Sequence, residues 1–504
     1  MSQNVEQTTE NFRKLVQKIK SYEEALAVMY WDLRTGAPRK GMEARSEVIG
    51  VLSTEMFKLS TSDEMGAYLD ALTEPEANER LDEINRRTVA ECKKEYDRSK
   101  KIPAETYQVY VVLTSQAETI WEEAKHKDDF AMFQPYLEKI VAYNQQFIDL
   151  WGAKETRYDT LLDMYEPDLT VRKLDQVFGE LRAKSVPLVA AIAESAHQPD
   201  MACLQQSFDK EKQRAFSLFM LERMGYDFEA GRLDESVHPF ATGLNPGDVR
   251  ITTRYAVDDM ANALFSTIHE GGHALYEQNI SKDLIGTPLC TGTSMGIHES
   301  QSRFWENMIG RSRAFWNRYY GDLQAHFPGQ LNVPAETFYR AINRVQPSFI
   351  RTESDELTYN LHIIIRYEIE KMLFNEGLNV ADLPEIWNEK YKQYLGIVPK
   401  TYAEGVLQDV HWSGGGFGYF PSYSLGNMYA AQFMHTIKRE IPEFDRLIEQ
   451  GNFQPVKAWL IDNIYRHGKL LTPAEIVQNV TGEPLTPSYL IDYLETKFKD
   501  IYRL

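Results

Sequence analysis

The sequence predicts a mainly α-helical protein with one small β-sheet. Apolar residues recur at three- and four-residue spacing among charged residues over 9–35, 75–127, 130–153 and 171–196, a period typical of amphipathic helices. Helical spacing resumes near Asp258 and continues to the C-terminus. The sheet is expected where this pattern is broken, between the two helical regions.

Helix breakers divide the N-terminal helical stretch. Gly36-Ala37-Pro38, Pro103 and Pro135 lie within or between the periodic segments. Proline lacks the N–H that a helix interior needs, and glycine is conformationally free, so these positions are expected to separate the helices.

One segment departs from the helical pattern. Residues 236–256, SVHPFATGLNPGDVRITTRYA, are rich in β-branched and aromatic residues around the turn signal Asn245-Pro246-Gly247-Asp248, which predicts a hairpin. Asp258 and Asp259 can cap the helix that follows. A glycine-rich stretch around Gly414 interrupts the later helices.

Length and charge limit the possible classes of protein. The chain has 504 residues, with 55 Lys and Arg against 74 Asp and Glu, a formal charge of −19. This length favours two or three domains or one large multi-lobed enzyme. The negative charge disfavours nucleic acid and anionic membranes as partners, because phosphate binding depends on Lys and Arg. Solubility alone also accounts for such a charge.

Cysteine usage and the N-terminus favour a cytoplasmic protein. Cys92, Cys203 and Cys290 are far apart and odd in number, which fits a reducing compartment better than a disulfide framework. The N-terminal sequence MSQNVEQTTENFRKL lacks the apolar core of a signal peptide, and no apolar run reaches membrane-spanning length. No membrane partner is therefore expected.

The segment STIHEGGHALYEQ, residues 266–278, carries a candidate metal site. His269 and His273 are four residues apart, so one side of a helix presents both imidazoles, as two ligands of a tetrahedral zinc require. Glu270 follows His269, where its carboxylate can reach a zinc-bound water, as in an HExxH metalloprotease. The competing interpretation is two core histidines beside a surface glutamate.

Two glycines stand at the centre of this helix. Glycine costs about 1 kcal/mol relative to alanine in a helix interior, so Gly271 and Gly272 imply a structural requirement. They are expected to let neighbouring backbone pack closely against the metal-binding helix.

A catalytic zinc needs a third protein ligand and leaves its fourth position for water. Glu299, in MGIHESQSRFWEN, lies 26 residues after His273 on a segment with helical spacing and is the preferred candidate. The arrangement is thermolysin-like, an HExxH helix followed by a glutamate-bearing helix. His298 is the rival ligand, and a solvated helix-face glutamate is the alternative without a metal.

Thermolysin-like sites often carry an acidic residue four positions after the glutamate ligand. This chain has Arg303 at that position, so no carboxylate that orients a metal-binding histidine is evident.

Together these motifs resemble one enzyme family. HEGGH followed by HESQS is similar to the carboxypeptidase Taq family of zinc metallocarboxypeptidases, and the resemblance extends from YWDLRTGAP near Trp31 to TPSYLIDYL near Tyr489. One residue departs from the family pattern, Ser354 in place of an alanine. Four further segments match family motifs: HPF at 238–240, DxRxT at 248–252, IRxxAD at 350–355 and GxxQDxHW at 405–412.

The resemblance implies a zinc metallocarboxypeptidase that removes C-terminal amino acids from peptides with a free C-terminus. It implies a large helical metallopeptidase with a deep groove and a small active-site β-sheet, a single catalytic unit over residues 1–504. A helical lobe over roughly 1–200 would roof the groove, and a metal-binding catalytic lobe would cover roughly 201–504. One Zn²⁺ per chain, replaceable by Co²⁺, and a homodimer are also implied.

The resemblance also assigns catalytic roles. His269, His273 and Glu299 would hold the zinc, while Glu270 takes the proton of the attacking water and passes it to the leaving amine. An oxyanion donor is expected within HWSGGGFGYFPSYSLGN, which is similar to the family's active-site segment. The candidates, which are equally compatible with packing roles, are His411, Tyr419 and Tyr423.

The terminal carboxylate of a peptide requires a positive group, and arginine offers a bidentate fork. Arg351 is the first choice and Arg250 the second. A helix pair between Arg351 and Asp355 is the non-functional alternative. Gln408 is a further substrate-binding candidate. His238 and the hairpin would supply an edge strand for the peptide backbone, unless the hairpin is purely structural.

Two other functions are open at this level. A zinc endopeptidase or oligopeptidase shares the HExxH motif, although the carboxylate-binding arginines argue against it. An inactive metal-binding helical scaffold has no need of a general base, and the presence of Glu270 argues against that alternative.

Overall fold

The N-terminal helices form a layer with its own small core. The structure is a computed structural model that describes residues 2–504. Its first helices are α1 (Ser2–Thr35), α2 (Met42–Ser60), α3 (Asp63–Thr73), α4 (Pro75–Asn78) and α5 (Glu83–Lys100). Phe12, Leu69 and Val89 are buried in a hydrophobic cluster whose members all lie between Val5 and Tyr96.

The next helices pack into the main core. They are α6 (Ala104–Lys127), α7 (Phe130–Trp151), α8 (Arg157–Leu162), α9 (Val171–Glu194) and α10 (Lys210–Met224). Side-chain oxygens of Asp129, Thr156, Thr170 and Asp209 accept backbone N–H hydrogen bonds at the starts of α7 to α10. These N-caps explain where the four helices begin.

Two of the three expected helix breaks occur. α1 ends directly before Gly36-Ala37-Pro38, and Pro103 immediately precedes α6. Pro135 instead lies inside α7, so the prediction of a break there is wrong. Proline removes a single backbone hydrogen bond, and burial of Phe133 and Leu137 on either side outweighs that loss, because tertiary packing supplies most helix stability.

The predicted hairpin is present and belongs to a three-stranded sheet. The strands are β1 (Leu233–Glu235), β2 (Ala241–Asn245) and β3 (Asp248–Thr253). β2 and β3 pair antiparallel across the predicted turn, β1 pairs parallel to β3, and the order β1-β3-β2 leaves β2 at an edge. β1 was not predicted, because three residues are too few to show a two-residue period.

The remainder of the chain is helical. It contains α11 (Met260–Gln278), α12 (Met295–Arg303), α13 (Arg313–His326), α14 (Ala335–Ile342), α15 (Thr358–Lys371), α16 (Leu383–Leu395), α17 (Pro421–Glu440), α18 (Phe444–Glu449), α19 (Gln454–Asn463), α20 (Pro473–Thr481) and α21 (Ser488–Tyr502). π-Helical segments at Phe304–Gly310 and Met372–Glu376 extend α12 and α15. Short 3₁₀ turns occur at Arg39–Gly41, Phe228–Ala230, Lys282–Leu284, Arg351–Glu353, Val380–Asp382 and Tyr465–His467. None of the helices in residues 2–504 combines the length and apolar character needed to span a bilayer.

The N-terminal layer touches the sheet. The rings of Trp31 on α1 and Phe240 before β2 lie 5.3 Å apart, and Asn245 Nδ2 donates to Glu24 Oε1 at 2.8 Å. Hydrophobic residues between 113 and 192, by contrast, belong to the same buried cluster as the C-terminal half of the chain. Packing therefore groups α6 to α9 with the metal-binding helices, and the separate layer ends near the end of α5.

Candidate active site

α11 and α12 bring the three predicted metal ligands together. His269 Nε2 lies 3.6 Å and His273 Nε2 lies 3.5 Å from Glu299 Oε2. Within residues 2–504, these three side chains form the one cluster of potential ligands. Bonds of about 2.0–2.2 Å in a tetrahedral site separate ligand atoms by about 3.3–3.6 Å, so the observed spacing fits a zinc-sized ion.

The two glycines of HEGGH let α11 pack between α10 and α12. A Cβ on Gly272 would lie 2.6 Å from the Gln301 carbonyl oxygen and 2.7 Å from Ser302 Cα. A Cβ on Gly271 would meet the side chain of Leu221 at 2.8 Å. The expected close approach of backbone is therefore confirmed for Gly272, whereas Gly271 faces side chains of α10.

Glu299 is held from two sides. α17 packs so closely that a Cβ on Gly426 would lie 2.5 Å from Glu299 Cγ. Arg303, one turn along, donates through Nε to Glu299 Oε1 at 2.7 Å and leaves Oε2 facing the histidines. Burial raises the pKa of Glu299. Arg303 and the two histidines together lower this pKa by more than burial raises it, so it lies well below the usual range. The group is a carboxylate at neutral pH.

Glu306 is the carboxylate that orients His269, and it was not among the residues predicted from the sequence. Glu306 Oε2 lies 2.9 Å from His269 Nδ1 and accepts from Arg303 Nη1 at 3.1 Å. Glu306 stands seven residues after Glu299, within the π-helical extension of α12, rather than at the four-residue spacing of thermolysin-like sites. Seven residues are about two helical turns, so a helical period would place Glu306 on the same side of the helix as Glu299 without identifying His269 as its partner.

His298, the rival ligand, points away from the ligand atoms. Its Nδ1 lies 2.6 Å from His273 Nδ1, and its Nε2 lies 2.9 Å from Glu277 Oε1. Both ring nitrogens of His298 are thus engaged. Glu299 is the residue of this motif whose oxygen faces the Nε2 atoms of His269 and His273.

Glu270 stands beside the ligands without belonging to them. It is 7% exposed. Burial raises the pKa of Glu270 to about 7, with the positive field of His269 lowering it and the charge of Glu299 raising it. A carboxyl group with a pKa near neutrality can both accept and release a proton, which suits the role expected of it.

His411, Tyr419 and Tyr423 form one aromatic cluster. Tyr423 Oη lies 3.2 Å from His411 Nε2, and the two tyrosine ring centres are 5.1 Å apart. Burial lowers the pKa of His411 to about 4 and raises the pKa of both tyrosines. At neutral pH the imidazole is therefore uncharged and both phenols keep their protons.

Arg351 lies buried against this cluster. Its Nε and Nη2 lie 3.0 and 2.9 Å from Asp409 Oδ1, and its Nη1 donates to Tyr359 Oη at 3.2 Å. The guanidinium carbon is 4.9 Å from the Tyr423 ring centre. The alternative pairing with Asp355 does not occur, because Asp355 accepts the N–H groups that begin α15.

Gln408 contacts the backbone of Arg351. Its Oε1 accepts the backbone N–H of Arg351 at 2.9 Å. Its Nε2 donates to the carbonyls of Phe349 and Glu404 and to the Tyr391 hydroxyl. These contacts brace the Arg351 segment, and the substrate-binding role of Gln408 stays a prediction.

Arg250 and His238 belong to the sheet region. Arg250, on β3, donates from Nε and Nη2 to Asp248 at 2.8 and 2.7 Å, and its guanidinium carbon is 5.8 Å from the ring centre of Trp31 on α1. His238 is exposed before β2, where its carbonyl accepts from the Ser236 hydroxyl. The described contacts of Arg250 and His238 join neither residue to the metal ligands.

Comparison with known proteins identifies the family of this chain. Residues 11–498 match the family described as carboxypeptidase Taq (M32) metallopeptidase. The chain belongs to the carboxypeptidase Taq (M32) family. Carboxypeptidase 1 of Bacillus subtilis (strain 168) is 53% identical over 494 residues, with 98% of each chain covered. Thermostable carboxypeptidase 1 of Thermus thermophilus is 41% identical over 488 residues, covering 94% of this chain and 95% of the relative.

Solved M32 structures share the fold. The M32 carboxypeptidase from Deinococcus radiodurans R1 superposes with a TM-score of 0.95 at 37% identity, with 99% of this chain and 100% of that chain covered. This M32 chain is a metallocarboxypeptidase of mainly α fold that acts on peptides. Membership in a metallopeptidase family implies a metal, and the cluster formed by His269, His273 and Glu299 has the donors and spacing to hold it.

Proposed function

We propose that this M32 chain uses one Zn²⁺ ion to remove single residues from peptides with a free C-terminus. His269, His273 and Glu299 hold the ion in this proposal, since two imidazoles and a carboxylate are zinc's usual ligands in peptidases. The convergence of their facing atoms, 3.5–3.6 Å apart, carries the proposal. Bound zinc, or cobalt in its place, supplies the Lewis acidity that activates water and polarises the scissile carbonyl.

The protein's own residues move the proton and stabilise charge. Glu270 accepts a proton from the attacking water at its carboxylate and delivers it to the leaving amine. Tyr423, with Tyr419 and His411 beside it, offers a hydrogen-bond donor to the oxygen that becomes negative. The raised pKa of both tyrosines supports this role, because a protonated phenol donates at neutral pH.

Arg351 binds the terminal carboxylate of the peptide in this proposal. Asp409 engages Nε and Nη2 and so fixes the guanidinium plane among aromatic rings. A planar cation held in one orientation is preorganised for a carboxylate. Arg250 is the second choice, because its contacts with Asp248 and with the ring of Trp31 do not join it to the metal ligands.

We further propose a cytoplasmic homodimer in which the N-terminal helices roof the groove. The free cysteines Cys92, Cys203 and Cys290 support a reducing compartment. The contacts of α1 with the sheet support the roof, and the separate N-terminal cluster favours a lobe boundary near residue 100 instead of near residue 200. The formal charge of −19 argues against nucleic acid as a partner.

The homodimer is tested by its molecular mass in solution. Light scattering should give a mass twice the 58.3 kDa of one chain, and a monomeric mass would contradict the dimer.

The metal site is tested by metal content and two substitutions. The purified chain should carry about one zinc, and His269→Ala should lose most of it. Glu270→Gln should keep the metal and lose at least about 100-fold in kcat, because an amide cannot accept the proton. A His269→Ala protein with full metal content contradicts the site. Glu270→Gln activity within tenfold of wild type removes Glu270 as the base.

Amidated peptides separate exopeptidase from endopeptidase action. A peptide with a free C-terminus should be shortened one residue at a time, as mass spectrometry of the products shows, and its C-terminal amide should resist. Removing one partner of a buried charge pair costs about 2–5 kcal/mol, which is at least about tenfold in kcat/KM. Arg351→Ala should show this loss on the free peptide and little further loss on the amide.

The combination of the two changes identifies the carboxylate clamp. Additive losses from Arg351→Ala and amidation would move the role to Arg250 or elsewhere, since changes that remove one interaction are not additive. Internal cleavage of amidated peptides at full rate would instead favour the endopeptidase alternative.

A further inference from the structure

The two metal-facing histidines are supported in different ways. His269 Nδ1 meets the Glu306 carboxylate directly at 2.9 Å. His273 Nδ1 meets a second imidazole, since His298 Nδ1 lies 2.6 Å away, and His298 Nε2 in turn lies 2.9 Å from Glu277 Oε1. The proton transfers described above use neither His298 nor Glu277.

The direction of these hydrogen bonds follows from the metal site. If His273 Nε2 gives its lone pair to a metal, the neutral ring keeps its proton at Nδ1. That proton is donated to His298 Nδ1, so the neutral His298 ring carries its own proton at Nε2. His298 therefore donates to Glu277, and a single order of tautomers satisfies both contacts.

Glu277 is surrounded as a terminal acceptor. Its Oε1 also accepts from the Gly292 N–H at 3.1 Å and from Thr291 Oγ1 at 3.3 Å. Its other oxygen packs against β2, where a Cβ on Gly243 would lie 2.8 Å from Oε2. Glu277 is 7% exposed, and a buried carboxylate accepting several donors is fixed in position.

The residues around His298 also pack closely against its imidazole ring. A Cβ on Gly292 would lie 2.5 Å from His298 Cδ2, so the loop before α12 holds the imidazole in place. Glu277 follows His273 by four residues on α11, and His298 from α12 lies between their side chains. The contact therefore joins α11 to α12 one residue before Glu299.

We propose that Glu277 and His298 form a positioning relay that fixes the tautomer and ring orientation of His273 and thereby directs its Nε2 at the metal. This inference rests on the proposed metal site. Groups that hydrogen-bond to metal-binding histidines orient the ring and raise its basicity. In this chain one histidine has a carboxylate for that purpose, and the other has an imidazole backed by a carboxylate.

The relay is tested by Co²⁺ affinity of the full-length chain. His298→Phe keeps a ring but removes both nitrogens, and it should weaken Co²⁺ binding by about 10- to 100-fold. His298→Gln keeps one acceptor and one donor, and it should restore most of the affinity. Glu277→Gln should weaken binding by a smaller factor. His435→Gln, an exposed position on α17, is the matched control and should bind as wild type.

Proton NMR of the Co²⁺-loaded chain reports the tautomer itself. Ring N–H protons of cobalt-bound histidines are shifted far from other signals and are seen in water only while hydrogen bonding protects them from exchange. Wild type should show two such signals. His298→Phe should lose the one from His273, whereas Glu306→Gln should affect the one from His269, a distinction that general loosening of the fold would not produce.

The outcomes separate the relay from the site. His298→Phe that binds Co²⁺ as tightly as wild type and keeps both signals would overturn the relay and leave the metal site standing. Should that variant not fold, equal affinities of Glu277→Gln and His435→Gln overturn it instead. A wild-type chain that takes up no Co²⁺, or a His269→Ala chain that takes up as much as wild type, overturns the metal site and the relay together.

Discussion

The residue at position 272 is glycine because the backbone of α12 occupies the space where a Cβ would lie. A helix interior normally disfavours glycine by about 1 kcal/mol, and here that cost is offset by the close approach of two ligand-bearing helices. Gly426 on α17 allows a similar close approach to α12, because a Cβ there would lie 2.5 Å from Glu299 Cγ. Glu299 is therefore positioned by small residues around it as much as by its hydrogen bond to Arg303.

Alanine substitutions at three glycines should give a graded series. Gly272→Ala should lower the free energy of unfolding by about 1–3 kcal/mol and weaken metal binding, because rigid backbone lies 2.6 Å from the new Cβ. Gly271→Ala should cost less, since it meets the mobile side-chain ends of Leu221 and Met224. Thermal unfolding and metal titration measure both effects.

Gly321→Ala is the matched control for this series. Gly321 lies within α13 and has open space around it, so alanine there should be neutral or stabilise by up to about 1 kcal/mol. Equal stability of Gly272→Ala and Gly321→Ala would show that close packing of α11 on α12 does not require the glycine.

At the scale of elements, the site depends on how helices are tied to one another. The π-helical extension of α12 carries Glu306 back to His269 on α11, and π-helical turns are frequent at functional sites. α6 is tied to the GxxQDxHW segment in a similar way, since Trp121 Nε1 donates to the Leu407 carbonyl at 3.0 Å and Lys125 Nζ to the Gln408 carbonyl at 2.9 Å.

The C-terminal helix provides a quantitative test of such a tie. Lys497 Nζ of α21 lies 2.5 Å from Glu356 Oε2, with the two side chains 7% and 5% exposed. Lys497→Met should destabilise the fold by about 3–5 kcal/mol, because it leaves a buried carboxylate unpaired. The melting temperature should fall accordingly, and adding Glu356→Leu should recover much of the loss.

An exposed pair on the same helix is the control. Lys499 and Glu495 are 2.6 Å apart but 50% and 30% exposed, so Lys499→Met should change stability by no more than about 1 kcal/mol. Similar losses at Lys497 and Lys499 would mean that burial does not set the strength of these pairs.

For the whole molecule, stability should depend on pH through buried groups outside the site. Burial lowers the pKa of His362 well below its ordinary value of 6.5. The folded state therefore binds fewer protons there than the unfolded state, so the stability due to the neutral ring is complete above pH 6.5 and is lost as pH falls. Relative to wild type, His362→Gln should gain stability as pH is lowered below 6.5.

Glu166 should give the opposite slope. Burial raises the pKa of this carboxyl from 4.5 to about 7, so the folded state holds a proton that the unfolded state releases. The stability due to the protonated group is complete below about pH 4.5 and is lost as pH rises to about 7. Relative to wild type, Glu166→Gln should gain stability over that rise. Melting temperatures measured across the pH range should show opposite slopes for the two variants, and parallel slopes would contradict at least one of the two assignments.

The sequence by itself determined the features that arise between near neighbours in the chain. A helical period over α1, α7, α9 and the C-terminal half indicated a mainly α protein, and the Asn245–Asp248 turn signal located the hairpin. The four-residue spacing of His269 and His273 set both imidazoles on one side of α11. These inferences succeed because helix periodicity, turn chemistry and capping are local.

Only the tertiary structure decided which distant groups meet. His298 turned out to be the partner of His273, Glu306 the partner of His269, and Asp409 the partner of Arg351. Pro135 lies inside a helix, and hydrophobic residues between 113 and 192 belong to the main core. Both features depend on tertiary packing. Hydrogen bonds between buried charged groups, and packing that overrides local propensity, depend on how helices far apart in the chain come together, and no local pattern records that arrangement.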